Sequence, residues 1–177
     1  MIRLRILTFF LFFIFCYNAS ATSIAVVNIQ NLIDKNNTYI EIIKLIEADQ
    51  EKHLEFFKTK ENKIEELLNE INDTKLLLDE FEINEKIDNY NQELNNFTIQ
   101  IEDFNEHYQN QIINIRENIL KQIIVLLENY AKKTNVDLIL DSSSYLIASN
   151  SLNITDDIEI QLNEVIMEIE FESFEKN

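Results

Sequence analysis

The chain has 177 residues, 32 of them acidic and 15 basic, for a formal net charge of −17, and it contains no Gly, Pro or Trp. Without Gly it has no glycine-rich phosphate loop, dinucleotide fingerprint or nucleophile elbow of the usual kind. The acidic balance argues against binding to nucleic acids and to anionic membrane surfaces, because both need a basic face. Apolar residues make up 46% of the chain and recur at regular spacing. This pattern predicts a folded chain of about one domain.

The first 21 residues predict an exported precursor. Arg3 and Arg5 precede an apolar run from Ile6 to Cys16, and Ala19-Ser20-Ala21 fits the small-x-small cleavage rule. We therefore expect a signal peptide over residues 1–21 that is cleaved after Ala21. An uncleaved anchor is the alternative, but the run is about half of the ~20 residues that span a bilayer. Cleavage would remove the only cysteine, so we expect oligomerisation rather than a disulfide to add stability.

Two long runs of heptad spacing dominate the rest of the chain. Residues 23–29 predict a strand and residues 30–36 a helical turn. Apolar residues then recur at steps of three and four from Ile43 to Leu78, and again from Ile87 to Tyr130. The polar members of the first run are Gln50, His53, Lys60 and Thr74.

Helices of this length cannot lie inside a domain of this size, so we expect a projecting arm. The preferred architecture is an antiparallel hairpin over residues 38–130 with its tip near 79–86. One continuous helix of about ninety residues that dimerises is the alternative.

The C-terminal part predicts short strands and a closing helix. Asn135 suits a left-handed helix cap, residues 136–140 and 145–148 predict strands, and Ser142-Ser143-Ser144 predicts a turn. Thr155 is the expected N-cap of a last helix. The apolar stripe of that helix is Ile158, Leu162, Val165 and Ile169. The acidic tail 168–177 has three open roles: extending this helix, fraying or binding.

The predicted fold class is α+β, with a long antiparallel coiled-coil hairpin inserted between the strands of a small β-body. The body comprises residues 22–37 and 131–177. Three short strands make a poor sheet alone, which again favours an oligomer. The candidates for its oligomerisation core are Val26, Ile123, Leu126, Leu127, Leu138 and Leu140.

No catalytic constellation is visible, so we expect neither an enzyme nor a cofactor or metal. His53 and His107 lie far apart in the sequence, and pairs such as Glu65-Glu66 are interpreted as a solvated face. Apolar residues off the heptad positions are more informative, because exposed ones would cause aggregation unless they bind something. They either line a client-binding cavity or pack internally near the tip. These candidates are Phe56, Leu68, Leu76, Leu77, Phe81, Ile83 and Ile99.

With this order of elements, the sequence resembles the Skp/OmpH family of periplasmic chaperones over essentially the whole mature chain. The resemblance rests on the segment from Ile24 to Ile29, on the block from Tyr130 to Asp141 and on the run from Ser151 to Asp157. It implies a periplasmic homotrimer with a central β-body. Three arms would enclose a cavity that holds unfolded outer-membrane proteins without ATP.

Two features depart from the family pattern. Asn135 replaces the family's Gly, and the arm is acidic where familiar members are basic. Residues 47–116 carry 18 acidic and 7 basic side chains, which argues against direct contact with membranes or lipopolysaccharide. The competing function is a structural or adaptor coiled-coil protein of the cell envelope that binds folded partners.

Overall fold

A computed structural model of the protein describes residues 22–168 and 170–175. The predicted signal peptide lies outside these residues. No helix within the described part is both long enough and apolar enough to cross a membrane. The elements in chain order are the strand β1 (Ile24–Val27), the short helix α1 (Ile29–Lys35), the long helices α2 (Asn37–Thr74) and α3 (Glu80–Thr134), the strand β2 (Leu138–Asp141) and the closing helix α4 (Thr155–Glu164).

The long helices α2 and α3 pair as an antiparallel hairpin. Lys60 donates a 2.6 Å hydrogen bond to Gln100, and the amine of Lys63 lies 3.5 Å from the carboxylate of Glu93. Partner numbers fall along α3 as numbers rise along α2, so the helices run in opposite directions. The hairpin prediction is confirmed, and the single continuous helix is excluded. At 1.5 Å per residue, α2 extends about 57 Å.

Asn and Asp side chains define the helix ends in this chain without Gly or Pro. The buried Asn36 closes α1 with its backbone N–H and caps α2 with its side-chain oxygen. Asp79 and Glu82 form a capping box at the start of α3. Asn135 ends α3 in the left-handed conformation, with φ of 53°, which confirms the predicted cap.

The two strands form a small parallel sheet at the base of the hairpin. Ile24 lies opposite Leu138, and Val27 lies opposite Asp141. The Asp141 carboxylate accepts the Ile29 N–H at 3.1 Å and so fixes the end of β2 to the start of α1. Hydrogen bonds from the Ser143 side chain and backbone outweigh burial and hold the pKa of Asp141 below its ordinary value.

One hydrophobic core joins this body to the lower part of the hairpin. Side chains of β1, α1 and α4 pack against α2 up to Ile46 and against α3 from Tyr108 onward. Ile119 and Ile158 are completely buried there. Between His53 and the tip, the only buried side chain of the described hairpin is that of Ile64. The arm is therefore anchored at its base, and half-buried side chains hold its outer part together.

The predicted strand over residues 145–148 is wrong. Leu146 and Ile147 are almost fully exposed, at 103% and 92%, and Val26 instead forms an isolated bridge with Asn153. A short apolar run forms a strand only where a sheet edge and a packing face are available. In the described part of the chain, no packing face covers this segment.

Several boundaries differ from the prediction. The turn of the hairpin is residues 75–79, and residues 80–86 are already helical, because the capping box starts α3 at Glu80. Thr155 is the first residue of α4 rather than its N-cap. Its hydroxyl accepts the Asn28 N–H at 2.9 Å and donates to Asn153 at 2.6 Å, so it is engaged elsewhere. In the predicted stripe, Ile158 and Leu162 are buried, whereas α4 ends before Val165 and Ile169 lies outside the described residues.

Candidate functional site

Asp49 is a buried carboxylate that joins three parts of the chain. It lies on α2, is 1% exposed, and accepts a 2.6 Å hydrogen bond from the hydroxyl of Tyr108 on α3. The Ser173 hydroxyl lies 2.8 Å from both of its oxygens, and the Phe174 N–H donates to Oδ2 at 3.1 Å. The amine of Lys52 lies 3.3 Å from Oδ1. The C-terminal residues are therefore fixed to both helices of the arm.

The hydrogen bonds around Asp49 decide its ionisation. Burial favours the protonated form, but the four donors together outweigh it and hold the pKa of Asp49 well below its usual range. Burial raises the pKa of Tyr108, and the hydrogen bond to Asp49 and its negative charge raise it further. At neutral pH the pair is therefore a carboxylate bound to a neutral phenol.

Residues 170–175 form a segment that we call the strap, which lies along α3 without regular secondary structure. The Gln111 side chain accepts the backbone N–H of Glu172 at 3.0 Å and donates to its carbonyl at 2.8 Å. His107 Nε2 lies 2.9 Å from the same carbonyl. The N–H and C=O of Glu172 thus point to one side, as those of a strand residue do. Of the three roles open to the tail, the strap shows binding, to the arm of its own chain.

The ring of Phe174 packs edge-to-face among aromatic side chains of both arm helices. The distances between ring centroids are 5.2 Å to Phe104, 5.6 Å to His53 and 5.5 Å to His107. Such pairs each contribute about 0.5–1.5 kcal/mol beyond area burial. The two histidines, which lie far apart in the sequence, therefore flank one ring. No group of three potential metal ligands occurs in the described part of the chain.

His53 is the least satisfied polar side chain of this site. It is 7% exposed, and its Nδ1 has no hydrogen-bond partner among the described residues. Its Nε2 lies 3.9 Å from Asp49 Oδ2, which is beyond hydrogen-bond distance. A buried unpaired nitrogen is costly in a folded protein, so this position has unused capacity for a polar partner.

Two clefts border the strap. One, of about 240 Å³, begins at Phe174 and Glu175 and reaches Phe56, Phe57 and Gln100 on the arm. The other, of about 420 Å³, lies between strap carboxylates and the polar face of α3. The strap therefore occupies part of a longer groove along the hairpin.

The predicted client-binding residues fall into two groups. Leu76, Leu77 and Phe81 are 89%, 82% and 77% exposed, and all lie at the tip, in the turn or in the first residues of α3. We call these three the tip cluster. The other candidates lie along the arm: Leu68 and Ile99 are partly exposed, Ile83 is half-buried, and the half-buried Phe56 lines the cleft beside the strap.

The predicted oligomerisation residues are also divided. Val26 and Ile123 are buried inside the single chain, at 3% and 0% exposure. Leu126, Leu127 and Leu140 are half-buried, and Leu138 is 44% exposed. Leu138 is therefore the member of this set whose side chain is most available to another subunit.

Neither the role of Asp49 nor the strap was predicted from the sequence. The predicted heptad positions include Ile43 and Gln50, whereas the buried positions include Ile42 and Asp49. Asp49 follows Ile42 by seven residues and precedes His53 by four, so the apolar face of the helix contains it. An acidic residue at such a position was the available signal. The strap offered none, because its Phe residues alternate with carboxylates in no recognised pattern.

Comparison with known proteins agrees with this architecture. The crystal structure of a candidate outer membrane chaperone (OmpH-like) from Caulobacter crescentus CB15 superimposes with a TM-score of 0.68 at 7% identity. The alignment covers 90% of this chain and 95% of that one, and at this identity it shows a shared fold. No curated protein matches the chain significantly by sequence. The family model described as outer membrane protein (OmpH-like) matches residues 23–162. The chain, with its hairpin arm on a small parallel sheet, thus belongs to the OmpH-like family.

Proposed function

We propose that this protein is an ATP-independent periplasmic holdase that binds unfolded outer-membrane proteins and prevents their aggregation. The observation that carries the proposal is the tip cluster: three large apolar side chains, each more than three-quarters exposed, at the end of a long arm. Exposed apolar groups of this kind mark binding surfaces for other apolar groups. Family membership and the expected signal peptide support the location and the chaperone role.

The charge of the arm suits the same role. Residues 47–116 carry a net charge of −11, so arms of different molecules repel one another and a bound client stays dispersed. A small number of apolar contacts favours weak binding, which a chaperone without ATP needs for release. The function includes no enzymatic step.

The proposed assembly is a homotrimer whose β-bodies join and whose arms surround the client. Leu146 and Ile147 support it, because these residues of the body are almost fully exposed in the part of the chain that the structure describes. Leu138, on the strand β2, is a further exposed apolar residue nearby in the sequence. Pairing of such segments between subunits would cover them.

The test is light scattering from a urea-unfolded outer-membrane β-barrel diluted into buffer with residues 22–177 and no ATP. Suppressed scattering that saturates near three protomers per client is the expected result. Unchanged scattering with the folded protein would contradict the holdase and favour an adaptor that binds folded partners. A folded, water-soluble protein of similar size is the control client, and it should not bind.

A further inference from the structure

We propose that the groove under the strap is a peptide-binding site, that the strap occupies it in cis, and that an uncharged or basic client segment carrying an aromatic side chain displaces the strap. The inference deepens the holdase proposal and rests on it for the identity of the occupant. The strap lies beyond residues 23–162, which the family model matches. The groove residues Asp49, His107 and Gln111 lie within the matched range.

The groove recognises its occupant mainly through backbone groups and one ring. Gln111 binds both the N–H and the carbonyl of Glu172, and Asp49 accepts the N–H of Phe174. The Glu172 side chain is exposed, as is that of Glu175. Backbone hydrogen bonds of this kind are independent of sequence, and a pocket for one side chain adds selectivity. Any segment with an extended residue followed two positions later by an aromatic residue can make the same backbone hydrogen bonds and ring contacts.

Charge makes the strap a weak occupant of its own groove. Glu170, Glu172 and Glu175 place three carboxylates on an arm that is already negative. Asp103 lines the cleft that Glu175 borders, and Asp49 lies beneath the neighbouring backbone. Like charges at short range oppose binding. A client segment without these carboxylates would form the same hydrogen bonds without this repulsion.

The groove also has room for a longer occupant. The 240 Å³ cleft starts at Phe174 and Glu175 and is lined by the aromatic side chains of Phe56 and Phe57. A segment that continues past the Phe174 position can fill this cleft.

The test uses the full chain and a fluorescent peptide with the sequence of residues 168–175. A tethered segment competes at an effective concentration on the order of millimolar. Phe174→Ala in the protein weakens the binding of the strap to the groove. We therefore expect this variant to bind the peptide about tenfold or more tightly than the unaltered chain does. Ser173→Ala, which removes one hydrogen-bond donor, should act in the same direction and more weakly. Ile166→Ala, at an exposed position before the strap, is the matched control and should leave binding unchanged.

Two further changes locate the peptide. Adding Gln111→Ala to Phe174→Ala should abolish the gain, and a peptide with Ala at position 174 should not bind. A peptide with Gln in place of its glutamates should bind more tightly than the native sequence. The proposed groove would be contradicted if the Phe174→Ala and unaltered chains bound the peptide equally well. It would also be contradicted if Gln111→Ala left peptide binding unchanged.

Competition between an unfolded outer-membrane β-barrel and the bound peptide tests whether clients occupy the groove. Release of the bound peptide by the barrel supports the proposal. If the protein keeps the barrel soluble but the peptide stays bound, the client occupant is refuted while the holdase stands. If the peptide binds as expected but the barrel still aggregates, the holdase fails and the groove binds only the protein's own tail.

Discussion

The hydroxyl of Tyr108 on α3 donates a 2.6 Å hydrogen bond to the buried carboxylate of Asp49 on α2, 59 positions earlier in the chain. This contact lies where the packed base of the hairpin gives way to the thinner outer arm. The strap is attached to the same carboxylate through Ser173 and Phe174. The stability of the arm base and the position of the C-terminal residues are therefore linked through one side chain.

Asp49→Asn should lower the free energy of unfolding by about 1–3 kcal/mol, because a hydrogen bond to a buried charged group contributes on that order. The amide is similar in size, so the loss reports on charge and hydrogen bonding rather than on a cavity. Urea unfolding followed by circular dichroism measures it. Glu47→Gln, on an exposed position of the same helix, is the control and should change stability little. Equal stability of Asp49→Asn and the unaltered protein would contradict the role given to this carboxylate.

The stabilising effect of Asp49 should disappear in acid. Its folded-state pKa is depressed, so its contribution is present above the unfolded value of about 3.9 and is lost as the pH falls toward the folded value. The stability difference between the unaltered protein and Asp49→Asn should therefore be constant from about pH 7 to pH 5 and shrink at about pH 3. Comparing the two proteins at each pH removes the effects of the other carboxylates. If this stability difference grew as the pH fell, the ionised form of Asp49 would not be the stabilising one.

Replacing the tip cluster with serine, as Leu76→Ser, Leu77→Ser and Phe81→Ser, should weaken client holding without unfolding the arm. The side chains are largely exposed, so we expect the free energy of unfolding to change by about 0.5 kcal/mol per substitution or less. The concentration of protein needed to halve the aggregation of an unfolded barrel should rise several-fold. Leu54→Ser, an exposed leucine nearer the base of α2, is the matched control. If the triple variant suppresses aggregation as well as the unaltered protein does, the tip cluster is not part of the client-binding surface.

Asn135 should be replaceable by Gly but not by Ala. Its φ of 53° lies in the left-handed region, where a residue with a β-carbon costs about 1–2 kcal/mol unless, like Asn, it tolerates the conformation. Asn135→Ala should therefore lower the free energy of unfolding, measured by urea unfolding, by about 1 kcal/mol. Asn135→Gly should leave it unchanged or raise it. If both substitutions lower stability equally, the backbone conformation is not the reason for Asn at this position.

Leu146→Asp combined with Ile147→Asp should convert the proposed trimer to monomers. The two side chains are free of contacts that stabilise the single chain, so helical content should remain. Sedimentation velocity gives the oligomeric state, and circular dichroism gives the helix content. Ile160→Asp, at an exposed position of α4, controls for the added charge. A trimer that persists in the double variant would place the subunit interface elsewhere on the body.

The two long helices could be predicted from sequence, because apolar spacing of three and four residues over such lengths is typical of helices that pack along one face. Their inner detail could not, because Ile42 and Ile43 both fit that spacing and only packing selects between them. The caps at Asn28 and Asn36 were passed over because Asn is abundant throughout the chain, so no single Asn stood out. The strap depends on contacts between residues more than sixty positions apart, such as Gln111 with Glu172, and such contacts leave no local pattern. The strand predicted at 145–148 is wrong because strand formation depends on packing against neighbours, and Leu146 and Ile147 are almost fully exposed in the described chain.

The parallel pairing of β1 with β2 has a consequence for the order in which the molecule folds. Ser23 binds Asp137, 114 positions later, so the sheet closes a loop that contains the entire hairpin. Such closure is slow, whereas the helices can zip together from their local turn at residues 75–79. While the chain is made from its N-terminus, the apolar residues of β1 have no partner until β2 exists. In a protein that we propose binds unfolded chains, we therefore expect the apolar strand β1 to pair late in folding, after β2 has been made.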